Sequence, residues 1–392
     1  MDRGKSASRI FIGRQDAVDL FYSLRSLREQ KNALYIEANG GLGKTWLLGE
    51  YVVECRRQRR PWYTGLAPED DPQSAVIDFY YLENRTVAGL RRSIVRRLGE
   101  NFFPEFQRLE QERQEVEQES SASNTSSRLA ALEREIEIVF FRELGRALAE
   151  IRNYTVLLFD TFEVVHNRRV GRWFLETFLT HPATWGYLIV FAGRPRESVR
   201  NRLPLNVHLY RLQPFSQSEA EEYFRKRYAI NPDSPEAAVI KACRGKPLLM
   251  DLTVEYLRQS EGTVDDLQTL SEQELERVLA QNFLNATTPL HNVLHEIAYL
   301  KRRYNQDIFN YLRDRYGDQD DFSEGDIWHE LQQYPFVKYR PEEGLYALHD
   351  EFQRMIAEHA GRDWQARAQE LYNDVVQGWY EQAIQKALPG PE

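Results

Sequence analysis

Residues 38–45 read Ala-Asn-Gly-Gly-Leu-Gly-Lys-Thr. Glycines at Gly40, Gly41 and Gly43 let the main chain bend until several N–H groups converge on one anion. Lys44 and Thr45 then add an ammonium and a hydroxyl. A turn of this kind cradles a phosphate chain. Asn39, Gly40, Gly41, Leu42 and Gly43 offer main-chain donors, Lys44 reaches the β- and γ-phosphates, and the Thr45 hydroxyl faces Mg²⁺. Trp46, next in line, is grouped with the binding residues. The ligands implied are ATP or ADP with Mg²⁺. Ala38 stands where the pattern wants its first glycine, which is tolerable if that residue is not left-handed. A bare Gly-Lys-Ser/Thr arises by chance in about one chain in five of this length, so the elements around it must carry the argument.

Three further residues could complete such a site. Asp160 ends an apolar run, where a carboxylate can hold a Mg²⁺-bound water against phosphates. Many ATPases follow this aspartate with a glutamate that polarises the attacking water. Here Thr161 fills that slot and Glu163 is the nearest acid. A general base must reach its water. The displaced Glu163 is therefore a candidate base, and the spacing predicts slow hydrolysis. Arg194 sits in Ala-Gly-Arg-Pro-Arg after another apolar run, where a guanidinium could sense the γ-phosphate; a surface arginine in a turn is the plainer alternative.

The elements needed to position these groups are legible. Apolar strands are expected at 33–37, 75–81, 154–159, 187–191 and 207–212, alternating with helices, one from about Lys44 to Arg56. Short apolar strands between helices indicate a parallel sheet covered on both faces. The Gly-rich turn thus follows a strand and opens a helix, as phosphate binding requires. The charged stretch Arg108 to Glu137, broken by Ser120–Ser127, reads as a solvated helical hairpin or floppy insertion (about 103–137), with a partner-binding arm as the alternative. Beyond 215 the pattern turns helical, with a helix start near Ser216 and Pro247 at the first position of another helix. Several helical segments from about 270 to 333 precede two short strands, 336–339 and 345–348, and a last helix. That is the outline of a winged helix. The expected organisation is an α/β nucleotide domain at 1–215, an all-α domain at 216–268, a winged-helix domain at 269–360 and a helical tail at 361–392.

Composition sets bounds. Of 392 residues 42% are hydrophobic and 12% aromatic, which excludes wholesale disorder. The net charge of −9 argues against a broad nucleic-acid surface. Cys55 and Cys243 have no Cys or His at metal-ligand spacing, which argues against zinc or a disulfide scaffold. No apolar run reaches the ~18 residues that cross a bilayer, and the start lacks signal-peptide features. A cytoplasmic protein is expected.

With Phe11-Ile-Gly-Arg14, the phosphate turn, Asp160, Arg194, Gly245-Lys-Pro247 and Leu348-His-Asp350 in hand, the chain resembles the STAND NTPases across roughly residues 10 to 360. These are signal-transduction ATPases that include plant resistance proteins, apoptosis regulators and bacterial immune sensors. The resemblance implies that Gly13 and Arg14 lie over the adenine, that Pro247 packs on the base, and that His349 contacts the ADP β-phosphate to lock a closed state. From its own surroundings His349 reads as a helix-start or core histidine. The resemblance also implies self-association in the ATP state and an effector or sensor partner. The tail around Trp364, Leu371 and Tyr372 looks like the beginning of a tetratricopeptide-like array.

Two other functions compete. One is a DNA-binding ATPase using the winged helix. The segment 322–332 that would read DNA is acidic and lacks Lys and Arg, so phosphates would be repelled and DNA is disfavoured. The other is a nucleotide-binding scaffold without turnover, toward which Ala38 and Thr161 point. Arg168, Arg169 and Arg172 fit a solvated helix face better than an intersubunit role.

Overall fold

The computed structural model describes residues 11–24, 32–58, 62–65, 72–118, 125–151, 154–231, 242–259, 267, 270–285, 294, 296–299, 304–316, 334, 336–340, 345–359 and 364–387. The chain forms two compact units, one of Gly13–Gln213 and one of Pro214–Glu392 joined by the N-terminal segment ending at Ile12. It therefore crosses between units twice, at 12–13 and at 213–214.

The first unit holds a parallel sheet of β1 (Ala33–Glu37), β2 (Val76–Asp78), β3 (Thr155–Asp160), β4 (Tyr187–Gly193) and β5 (Val207–Arg211). The order is β2-β3-β4-β1-β5. Every residue of β1, β3 and β4 is buried, which explains their apolar interiors; the carboxylates Glu37 and Asp160 stand only at strand ends. β2 is shorter than the run 75–81 suggested. It stops at Asp78, whose carboxylate accepts from the Tyr80 N–H at 2.7 Å and turns the chain out of the ladder.

Beneath the sheet's carboxyl edge lies a slab of aromatic rings. Phe191 stacks on Tyr35 at 4.7 Å, and Phe159 meets Phe174 edge-on at 5.0 Å. Phe162 and Phe79 join the same cluster. Such pairs contribute about 0.5–1.5 kcal/mol each beyond area burial. They stiffen the strand ends from which the candidate residues project.

The charged stretch folds as helices α4 (Pro104–Gln118) and α5 (Thr125–Ile151), with one face of each buried and the other solvated. Phe106, Leu109, Leu132, Ile136 and Phe140 are buried in the same core as the sheet. Glu143 accepts the N–H groups of Glu105 and Phe106 at the start of α4, at 3.2 and 2.9 Å. That tie favours the helix N-terminus electrostatically as well. Arg91, on the preceding helix α3 (Val87–Leu98), is 1% exposed and pairs with Glu133 of α5 at 2.6 Å. The hairpin is integral to the unit.

The second unit has one apolar core running from Ala220 to Val375, with Ile12 in it. Its helix Gln217–Tyr228 opens with a capping box between Ser216 and Glu219. Pro247 starts the helix Pro247–Gln259, and strands Val337–Arg340 and Leu345–Leu348 form an antiparallel pair before the helix Asp350–His359. The first of these strands runs one residue later than expected. The tail forms the helix Trp364–Ala387, with Leu371 and Val375 buried. The acidic segment 322–332 lies outside the described residues. Among the described residues no helix is long and apolar enough to cross a membrane.

If α4 and α5 are part of the core, Phe106→Ala destabilises the first unit by about 3–5 kcal/mol, the usual cost of emptying a buried aromatic site. Urea unfolding monitored by circular dichroism measures this. A loss below about 0.5 kcal/mol would restore the picture of a detached arm.

Candidate functional site

The candidate residues gather at the carboxyl ends of β1, β3 and β4. From β1 the chain crosses to the far edge at β2, whereas from β4 it passes over β1 to β5. Such a reversal opens a crevice above the strand ends. The turn leaves β1 with the Ala38 N–H donating to the Gly193 carbonyl at 3.1 Å. Ala38 is buried, and it is not among the residues with positive φ, so its methyl group costs no backbone strain. Gly41 and Gly43 do have positive φ, 75° and 89°. A Cβ on Gly43 would meet nothing within 4 Å. Backbone handedness, not crowding, demands glycine there.

Gly43 precedes helix α2 (Lys44–Arg57), and no side chain caps that helix start. Its first N–H groups and its positive dipole end face the turn. Lys44 folds back so that Nζ donates to the carbonyls of Ala38 at 2.8 Å and Asn39 at 3.1 Å. The Thr45 hydroxyl donates to Asp160 Oδ2 at 2.5 Å, joining the start of α2 to the end of β3. Trp46, one residue on, is 42% exposed.

Asp160 is buried, and its carboxyl pKa is raised from 3.8 to about 6. Burial is the main cause and the charge of Asp78 the next; the Thr45 hydrogen bond and Lys44 oppose them. Sequence reasoning missed Asp78. It pairs in register with Asp160 across β2 and β3, so the two carboxylates share one face of the sheet. In the sequence Asp78 stands inside the apolar run 75–81, so the signal that marked Asp160, an acid at the end of such a run, was absent there. Thr161 adopts φ 61°, a left-handed conformation unusual for a β-branched residue, while its N–H donates to Asp160 Oδ1 at 2.7 Å.

Glu163 and Arg194 are brought together. The Glu163 carboxylate accepts from the Arg194 main-chain N–H at 3.2 Å and lies 3.4 Å from its Nε. Arg194 is thus more than a surface arginine in a turn. Tyr35 donates to the Arg194 carbonyl at 3.2 Å, fixing the turn after β4. Glu37, at the last position before the phosphate turn, is buried and gripped by Arg200 at 2.5–3.0 Å.

Gly13 and Arg14 both have positive φ, 64° and 62°. The Arg14 guanidinium, nearly buried, donates to the Leu42 carbonyl at 3.3 Å and to the Gln213 carbonyl. Pro247 and His349 belong to the second unit. Gly245, just before the helix of Pro247, has φ 68°, and a Cβ there would strike the Phe215 carbonyl. The His349 ring accepts the Glu351 N–H at Nδ1, 3.2 Å away, as a helix-start histidine does.

Among the described residues no three His, Cys, Asp or Glu side chains are arranged to hold a metal alone. Mg²⁺ does not need them. It takes hard oxygens and completes its shell with phosphate and water, and Thr45 with Asp160 fits that requirement.

A parallel sheet with a glycine turn, lysine and threonine after β1 and an aspartate ending β3 is the fold of a P-loop NTPase. The chain is similar in structure to a Signal Transduction ATPase with Numerous Domains with a tetratricopeptide repeat sensor, from Pyrococcus horikoshii, at TM-score 0.51 and 15% identity. That match covers 92% of this chain and 44% of the other, so this chain spans under half of that protein. Cdc6p from Pyrobaculum aerophilum overlaps at TM-score 0.40 and 14% identity, covering 95% of this chain and 97% of that one. The Orc1 protein of Aeropyrum pernix, solved in complex with DNA, overlaps at 0.38 and 12%, covering 91% and 95%. Superpositions that loose carry no argument. No protein-family model and no curated protein sequence matches the chain.

Asp160 holds its proton more tightly folded than unfolded, so its ionisation between about pH 4 and 6 removes stability that is present at lower pH. Asp160→Asn should therefore raise the ligand-free melting midpoint by at least about 2 °C at pH 7.5. The gain should shrink as pH falls toward 4. Scanning fluorimetry across that range tests it; a lower midpoint at pH 7.5, or a gain independent of pH, refutes the electrostatic reading.

Proposed function

We propose that the chain is an ATP/ADP switch with slow hydrolysis. The reading rests on one observation: Lys44, Thr45 and Asp160 meet where α2 begins, while Glu163 is engaged by Arg194. Main-chain donors of residues 39–45 would surround the phosphates, and Lys44 would exchange its hold on the loop carbonyls for the β- and γ-phosphates. Bound Mg²⁺, held by Thr45 and through water by Asp160, would supply charge neutralisation. Arg194 can exchange Glu163 for a γ-phosphate, since both are anions and the phosphate carries more charge. Only then is Glu163 released to meet water, and from a position two residues beyond Thr161. Turnover is accordingly slow.

In this reading ADP holds the helical and winged-helix modules closed through Pro247 and His349. Exchange for ATP releases them and permits self-association, with signalling to an effector or sensor partner, in bacterial defence, as the output. A switch of this kind needs its two conformations to differ in affinity for the two nucleotides. Arg194 is the residue here that would tell them apart.

Lys44→Ala should weaken ATP and ADP binding by at least about 100-fold in calorimetry, the scale of losing a charge-assisted contact to phosphate. Unchanged binding would end this account. Arg194→Ala should weaken ATP by about tenfold and leave ADP within about twofold. Equal losses for both nucleotides would remove Arg194 as the discriminator. Mass spectrometry of co-purifying nucleotide identifies the resting state.

A further inference from the structure

Arg14 occupies an unusual junction. The first unit begins at Gly13 and ends at Gln213, so both chain crossings lie at its door. Its guanidinium spans two carbonyls that are remote in sequence. One is Leu42, inside the phosphate turn; the other is Gln213, the last residue before the second crossing. The backbone beneath it is bent to allow this, with positive φ at Gly13 and Arg14 in succession. A non-glycine residue is strained in that region, so the surrounding contacts must hold it there. Two do so visibly: the Arg14 carbonyl accepts from Ala17 and Val18 as helix α1 (Gln15–Leu24) starts, and the Tyr51 hydroxyl donates to the Ala17 carbonyl at 3.0 Å.

Leu42 is the informative partner. In a trans peptide the carbonyl and the following N–H point in opposite directions. With the Leu42 carbonyl taken by Arg14, the same peptide must present the Gly43 N–H on its opposite side. On the opposite limb, Lys44 does the same for the peptides after Ala38 and Asn39. Lys44 must leave those carbonyls to meet phosphate, whereas Arg14 can remain. At Gln213 the same guanidinium holds the chain just past Leu212, whose N–H donates to the Glu37 carbonyl at 3.0 Å. Glu37 is the residue from which the phosphate turn departs.

We propose that Arg14 is a positioning residue which orients the Gly43 N–H toward nucleotide phosphate and ties that orientation to the chain crossing at 213–214. Phosphate in the turn fixes the Leu42–Gly43 peptide, which fixes the guanidinium, which fixes the Gln213 carbonyl. The proposal rests on the nucleotide-binding reading above. It differs from the adenine-pocket role that the family resemblance implies, because both of these contacts are main-chain carbonyls of the protein.

Hydrogen exchange read by mass spectrometry on the full chain, with and without ADP and Mg²⁺, tests it alongside calorimetry. In the wild type, nucleotide should slow exchange at residues 212–213 by at least about tenfold. Arg14→Ala should bind ADP about 10–100-fold more weakly, the range for losing hydrogen bonds from a charged donor. At saturating ADP it should leave exchange at 212–213 unchanged. Arg14→Lys, which presents a point charge in place of a planar fork, should fall between the two. An alanine variant whose 212–213 exchange still responds to ADP, even with weakened affinity, would overturn the coupling and leave a ligand-contact role. Wild-type protein that binds ADP without any response at 212–213 overturns this inference alone. Wild-type protein that binds no nucleotide overturns the functional reading with it.

Discussion

A peptide that aims its N–H at a phosphate must aim its carbonyl away from it, and something has to receive that carbonyl. This constraint organises the phosphate turn. The Ala38 and Asn39 carbonyls go to Lys44, and the Leu42 carbonyl goes to Arg14. The Ala38 N–H is taken by Gly193 at the end of β4. Buried main-chain groups left without partners would each cost about 1–3 kcal/mol. The glycines permit the turn's shape, but these cationic partners hold it. That is why the residues that matter come from β1, β4, α2 and the segment before α1, and not from the turn alone.

The sheet gives those partners fixed positions. Tyr35 stacks on Phe191 within the core, and its hydroxyl reaches the Arg194 carbonyl at the rim. One ring thus serves both packing and site geometry. Glu37, on the other flank of the β1 end, is locked by Arg200 from the short helix Glu197–Arg200 after β4. Arg211 lies 3.6 Å from the same buried carboxylate and adds a second cation to it. The ends of β1 and β4 are therefore joined by main-chain, aromatic and ionic contacts at once. The candidate site sits on that joint.

Much of this was legible in the residues because it is local. The phosphate turn, its flanking strand and helix, and Asp160 occupy short stretches whose spacing has a single physical explanation. Pairings between distant segments were not. Nothing within either local pattern says that Glu163 faces Arg194, or that Arg14 reaches Leu42 and Gln213. Asp78 was hidden because Phe79, Tyr80 and Tyr81 prolong the apolar run past the true end of β2. The hairpin of α4 and α5 misled for another reason. Its buried stripe runs Phe106, Leu109, Glu110, Arg113 and Val116, so two of five inward positions are charged. Those charges are paired with partners such as Arg92 for Glu110, at 2.8 Å, and Glu117 for Arg113, at 2.5 Å. A stripe diluted in this way looks like a solvent face until the partners are known.

The distribution of charge around Asp160 bears on how nucleotide and metal would arrive. Burial first, then the charges of Asp78 and Glu163, raise the proton affinity of Asp160, while the Thr45 hydroxyl and Lys44 oppose them. A bare triphosphate approaching this corner would meet buried negative charge beside Lys44. A divalent cation changes the sign of that encounter, because it attracts Asp160 and the phosphates together. Nucleotide and Mg²⁺ should then bind as one unit. The same crowding keeps the proton on Asp160 at mildly acid pH, where the carboxyl no longer competes for the metal. Thr161, held left-handed directly beyond this aspartate, carries no carboxylate into the space where water would be activated. Under the proposed switch reading, this corner is better suited to holding a nucleotide–metal pair than to cleaving it.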